Sequence, residues 1–251
     1  GEFIQLQFRV KDRAGKATPF AKPEVRQAVN YAIDRDEINR VVEADTAAVS
    51  NLHYPKDSPF HVASLEGSYA HDVKKAKALL KQAGYAKGFD TEIIVAGGGI
   101  ASQERQAELI KDQLAAVGIR AKVTRVLPQD VFLTFYQRRT GDILSARQLQ
   151  SSLGPGTLFN QFGEGQQIAT YTGNVNDEIS QLTDQAYRAT SQDELNQLTQ
   201  QMERIAVEGA LDVPIAFVKQ FVAWDKDRIS GAPGAPYDSC VPIDLRGISV
   251  R

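Results

Sequence analysis

The sequence predicts an α/β fold, and three features carry that expectation. Apolar Ile4, Leu6 and Phe8 alternate with Gln5, Gln7 and Arg9, which is the period of a strand, whereas Val73, Ala76, Leu79, Leu80 and Ala83 recur at the period of a helix. In the middle of the chain, a strand over residues 91–95, a helix over 103–117 carrying Leu109, Ile110, Leu114 and Val117, and a second strand over 119–126 make a βαβ unit. Such a unit calls for a parallel pair.

The totals agree with a folded, globular composition. The 251 residues suffice for one large domain or two small ones, and 42% of them are hydrophobic. Against 31 Asp and Glu stand 29 Lys and Arg, so the basic excess used by nucleic-acid binders is missing and no nucleic-acid partner is expected. Cys240 is the single cysteine, which excludes an intramolecular disulfide and a Cys-based zinc site. No apolar run reaches the length of a membrane span, and Gly1-Glu2-Phe3 reads as a trimmed start without a signal peptide, so the chain is expected to be a fragment.

Taken in order, the strand over residues 3–10 lacks an obvious local partner and is followed by a polar loop over 11–18. Pro23 suits the first turn of a helix, and Val25, Ala28, Val29, Ala32 and Ile33 then form its buried face. Asp34 with Glu37 reads as a capping box opening a second helix that buries Ile38, Val41 and Val42. Pro55 and Pro59 keep residues 51–68 irregular, as an ordered loop wrapping the surface. Asp72 caps the next helix, which Gly84 ends in a left-handed turn. After the βαβ unit come a short helix over 130–137, a strand over 141–144 and a long loop over 145–165. The oxygens of Asn174, Asn176 and Asp177 open a helix with Ile179, Leu182 and Ala186 inside, and Ser191 with Glu194 opens another with Leu195, Leu198, Met202 and Ile205. The apolar run over 214–222 returns as strand, and pairing it with the first strand would close the chain.

Capping and periodicity do not name a function, but the wording of the elements does suggest a family. Arg26-Gln27-Ala28, Tyr31-Ala32-Ile33-Asp34-Arg35 and Ile38-Asn39 resemble a hallmark segment of the bacterial extracellular solute-binding proteins of the peptide/nickel class. Asp72, Ala76, Leu79-Leu80 and Ala83-Gly84-Tyr85 match as well, as do Gln113-Leu114-Ala115-Ala116-Val117-Gly118-Ile119 and residues 224–231. The resemblance covers residues 19–231 but only the second half of a family member. It implies the C-terminal lobe of a two-lobed periplasmic binding protein, with a mixed sheet flanked by helices. Residues 1–12 would be a crossing strand from the missing lobe, 13–210 the ligand-binding lobe, and 211–251 the return crossing strand and tail. The implied role is the substrate-binding component of an ABC importer, taking a peptide-like or other small polar organic solute by lobe closure. Catalysis, cofactor and metal play no part in it. The partner would be the ABC transporter permease, the protein a monomer, and its place periplasmic or extracellular, membrane-anchored.

Chemistry must come from loops. In peptide-binding members the loop after Gly141-Asp142 commonly carries an aromatic residue and an aspartate that pairs with the ligand's ammonium group. Residues 145–156 contain neither, and a buried ammonium without an anion costs several kcal/mol, roughly, which argues against ordinary peptides with free amino termini. The loop offers Arg147, Gln148, Gln150, Ser151 and Ser152 instead, and Arg147 suits a carboxylate or phosphate; the plainer reading is a surface arginine. Phe162 and Tyr171, with Asn160, Gln161 and Asn174, fall in a region that faces the cleft in relatives, although packing and capping explain such residues too. His53, His61 and His71 match no compact metal spacing and read as loop or surface histidines. Gly97-Gly98-Gly99 between strand and helix supports an alternative, an α/β enzyme holding a phosphate or nucleotide there; a third is a stand-alone interaction domain. No nucleophile elbow, His-Glu-x-x-His or thiol pair supports catalysis.

Overall fold

The computed structural model describes residues 2–149, 154–218, 225, 227–230 and 249–250. Strand β1, Glu2–Phe8, runs into helices α1, Pro23–Ala32, and α2, Arg35–Val42, which meet at the expected corner. There follow the short strand β2, Ala48–Val49, helix α3, Val73–Gln82, strand β3, Phe89–Ala96, helix α4, Ala101–Ala116, and strand β4, Ile119–Val126. A single π-helical turn, Phe132–Gln137, stands where a short helix is expected. Strand β5, Ile143–Leu149, and four helices follow: α5, Gly156–Phe162, α6, Gln167–Thr172, α7, Asp177–Ala186, and α8, Gln192–Glu208. Strand β6, Asp212–Val218, completes the main sheet, and β7, Ile229–Ser230, pairs with β8, Ser249–Val250. The rest of the expected strand over 214–222, most of 224–231, and Cys240 lie outside the described residues.

The sheet is mixed, in the order β2-β6-β1-β5-β3-β4. Strands β3 and β4 pair in parallel, as the βαβ unit requires, and β5 runs parallel to β3. Strand β1 lies antiparallel to both β5 and β6, so the two apolar ends of the chain do pair. The β1–β6 register slips between Ile4 and Gln5 where Pro214 stands opposite, because proline brings no N–H to the ladder.

Two expectations about the strands need correction. The alternation in β1 suggests a half-buried strand, yet Gln5, Gln7 and Arg9 are as buried as Ile4, Leu6 and Phe8. Its apolar face meets α1, α3 and α4 across the main core, and its polar face is covered by the π-turn and the α5–α8 layer. Residues 145–149, expected as loop, continue β5 instead: their amides and guanidinium lie beside β1, whose own glutamines are interior, so polarity does not mark the surface here. Part of the remaining expected loop forms α5.

Caps hold as the spacing predicts. Asp34, Asp72, Asn176 and Ser191 each accept a hydrogen bond from the amide three residues on. The box at Asp34 is completed differently from expectation, since Gln113 of α4 accepts from the Asp34 amide and donates to Glu37 at 2.8 Å. Val41, expected inside, is 41% exposed. Asn174 is not a helix cap; it donates to the Leu211 carbonyl at 2.8 Å.

Candidate ligand-binding site

The corner between α1 and α2 is held by polar groups that explain its wording. Arg26 donates to the carbonyls of Phe20, Gly209 and Ala210, tying α1 to the end of α8. Asn30 reaches Asp212 O at 2.9 Å, and Arg35 reaches Pro214 O, Asn30 and Tyr69 O, so both fasten the corner to β6. Arg9 does the same on the other face of the sheet: its guanidinium donates to Gly141 O, Tyr171 O and Phe135 O and stacks on the Phe135 ring. Burial lowers the Arg9 and Arg35 pKa values to about 10, which keeps both charged at neutral pH. These arginines are carbonyl clamps, leaving little to offer a ligand.

In an open α/β sheet, ligands collect beyond the carboxyl ends of parallel strands, where loops and helix N-termini converge. Strands β3, β4, β5 and β6 all end at one edge, and β1 begins there. A pocket of about 310 Å³ opens at this edge between the β3–α4 turn, the π-turn and β5. Its apolar wall includes Val131, Leu144 and the half-exposed Phe132, and its polar wall includes Gln103, Arg147 and Gln148. Among the described residues, no carboxylate lines it.

Arg147 stands on β5 opposite Ile4, with its side chain 9% exposed, so it is not the surface arginine of the plainer reading. Glu43, just after α2, and Glu2 hold its terminal nitrogens, which leaves Nε buried and without a partner among the described residues. One guanidinium between two carboxylates carries a net charge of about −1 at neutral pH, so the group suits a neutral acceptor such as an amide carbonyl better than an anion. Gln148 lines the same pocket. Gln150, Ser151 and Ser152 lie outside the described residues. Tyr171 packs edge-on against Phe132, at 6.1 Å between ring centres, and so supports this wall from behind. Phe162 is 3% exposed, inside a second apolar cluster with Leu158 and Met202, away from the pocket.

Gln103 and Phe132 also line this pocket and were not among the candidates read from the sequence. Both follow the carboxyl ends of predicted parallel strands, and that position was the available signal.

The triple glycine does not form an anion cradle. Gly98 donates its amide to Glu104 of α4, and Glu104 also pairs with Arg125, so a carboxylate already occupies the place a phosphate would take. A larger depression of about 500 Å³ lies between the start of α2 and the loop over residues 51–71. Its polar lining is largely committed: Asp34 caps α2, Arg35 clamps carbonyls, and Lys56 and His61 both pair with Glu66.

The loop over residues 51–68 runs along the surface for much of its length, but Asn51, Leu52, His53 and Tyr54 at its start are buried, so His53 is not a surface histidine. Fully buried, it meets Glu203 Oε2 at 2.9 Å through Nδ1 and Asp212 Oδ1 at 2.8 Å through Nε2. Burial by itself would lower its pKa, but the two carboxylates prevail and raise it to about 10, so the ring is an imidazolium at neutral pH. His61 bonds Tyr54 O and Glu66, while His71 is exposed.

The mixed sheet flanked by helices matches the lobe fold of the solute-binding proteins. The chain belongs to the bacterial extracellular solute-binding proteins of family 5, whose family description, "Bacterial extracellular solute-binding proteins, family 5 Middle", matches residues 1–170. Among its relatives, the glutathione-binding protein GsiB of Escherichia coli (strain K12) is 36% identical over 106 residues, 42% of this chain and 20% of that protein. The agropinic-acid complex of AgaA from Agrobacterium tumefaciens R10 superposes with a TM-score of 0.77 at 26% identity, over 87% of this chain and 44% of that one. HbpA2 from Haemophilus parasuis gives 0.83 at 22% identity, over all of this chain and 48% of that one, and shares the fold. The chain thus spans less than half the length of these relatives.

Proposed function

We propose that this chain is the C-terminal ligand-binding lobe of the substrate-binding component of an ABC importer. A second lobe would close on the carboxyl edge of the sheet, and the ligand would favour the closed state because only there does it touch both lobes. The same reading takes the ABC permease as partner and a monomeric, membrane-anchored protein outside the cytoplasmic membrane as its form. Family membership supports it, and among the described residues no helix is long and apolar enough to cross a membrane.

One observation carries the reading furthest: the roughly 310 Å³ pocket at the carboxyl edge sets the amides of Gln103 and Gln148 and the guanidinium of Arg147 beside an apolar wall. Gln103, Gln148 and Arg147 beside Phe132 suit a peptide-like or other small polar organic solute presenting an uncharged amide and an apolar body. The named ligands of the relatives, glutathione and agropinic acid, are small, polar organic acids, so in this reading their charged ends would be held outside this wall. Gln150, Ser151 and Ser152 follow Leu149 in the sequence and complete the set of candidate residues.

Calorimetric titration of the intact protein with glutathione and short peptides tests the assignment. Phe132→Ala and Arg147→Ala should each weaken the best ligand at least about tenfold, or about 1.4 kcal/mol. Unchanged affinity in both variants would remove this pocket from the site. The alternative reading, an enzyme holding a phosphate at Gly97-Gly98-Gly99, is less favoured, because the Gly98 amide donates to Glu104.

A further inference from the structure

Beneath the sheet, Gln7 of β1, Gln161 of α5 and Asp212 of β6 are 3%, 5% and 2% exposed. Two of them are fixed on one side. Tyr136 donates its hydroxyl to Gln7 Oε1, which turns Nε2 the other way, and the His53 ring holds Asp212 Oδ1. On their other sides Gln7 Nε2, Gln161 Oε1 and Asp212 Oδ2 have no partner among the described residues. All three side chains line one small cavity, where the room for the centre of a water-sized molecule is about 10 Å³. The rest of the lining is apolar or already bonded: Phe162, Ile168 and Leu211, with Thr172 and Asn174 donating to backbone carbonyls.

We propose that this cavity is the binding site of one structural water, which accepts a hydrogen bond from Gln7 Nε2 and donates one each to Gln161 Oε1 and Asp212 Oδ2. The count decides the ligand. One donor and two acceptors match a water, which has two hydrogens to give and lone pairs to receive, and the space admits about one such molecule. A metal cation would face the Gln7 N–H, and an anion would face the Asp212 carboxylate. Direct pairing of Gln7 with Gln161 would leave a buried carboxylate oxygen unserved, at a cost that the water removes. The water therefore joins β1 and β6 to the helical layer through α5, at the point where His53 already anchors β6.

An atomic-resolution crystal structure of the protein tests this, together with ¹⁷O magnetic relaxation dispersion, which counts long-lived internal waters. Wild type should show one fully occupied density peak within hydrogen-bonding distance of all three atoms. Gln161→Leu, which removes one acceptor and fills the space, should lose that peak and one long-lived water. A wild-type structure with the three side chains bonded directly to one another, or with no density between them, overturns the proposal. So does a folded Gln161→Leu protein that keeps the same count; if that variant fails to fold, the wild-type density alone decides.

Discussion

His53 shows how a single residue is set by distant partners. Its imidazolium sits between Glu203 and Asp212, and replacing it would leave two buried carboxylates without their counter-charge, a change that typically costs about 3–5 kcal/mol. His53→Gln should therefore lower the unfolding free energy by an amount of this order, read by denaturant titration. The pH dependence has a definite sign. The folded pKa is raised from the ordinary 6.5 to about 10, so the contribution is full below 6.5 and is lost as pH rises through 10. The gap between wild type and His53→Gln should shrink steadily over that window; a constant gap would mean that the ring is neutral. None of this was legible locally, since the partners lie 150 and 159 positions along the chain. Arg147 was legible as a polar site candidate, but Glu43, 104 positions away, changes what it can hold.

At the scale of elements, the legible features were those whose causes are local. Each cap needs only a side-chain oxygen three residues before an amide, and the βαβ unit needs only its two periods, so both were readable. The length of β5 was not, because the glutamines that made it look like a loop belong to a polar layer shared with β1. Turns between elements carry their own test. Gly84 and Gly88 both hold positive φ, +88° and +71°, but a Cβ at Gly84 meets nothing within 4 Å, whereas one at Gly88 would stand 1.8 Å from Gly118 O. Gly84→Ala should cost about 1 kcal/mol for the left-handed backbone alone. Gly88→Ala should cost roughly 1–3 kcal/mol more, because β3 can no longer approach the α4–β4 turn so closely. Equal losses in chemical denaturation would show that this close approach contributes nothing.

The whole molecule is organised by one sheet edge. Because β1 lies between β5 and β6, the start of the chain emerges beside the carboxyl ends of the parallel strands, and the pocket opens there. The pairing of the two apolar ends was legible in the sequence, whereas the insertion of β1 beside β5 was not, since strand order depends on contacts far apart in the chain. In the proposed role a second lobe supplies the other half of the ligand's contacts, so a lobe alone should bind far more weakly than the whole, through lost contacts and lost exclusion of water. Closure is the central claim, and its most direct measurement is the distance between the two lobes in the intact protein, by spin labels on each, with and without glutathione or a short peptide. The account predicts a shift to a shorter, narrower distance distribution on binding, abolished by Phe132→Ala together with Arg147→Ala. Binding of comparable affinity with an unchanged distance would contradict it.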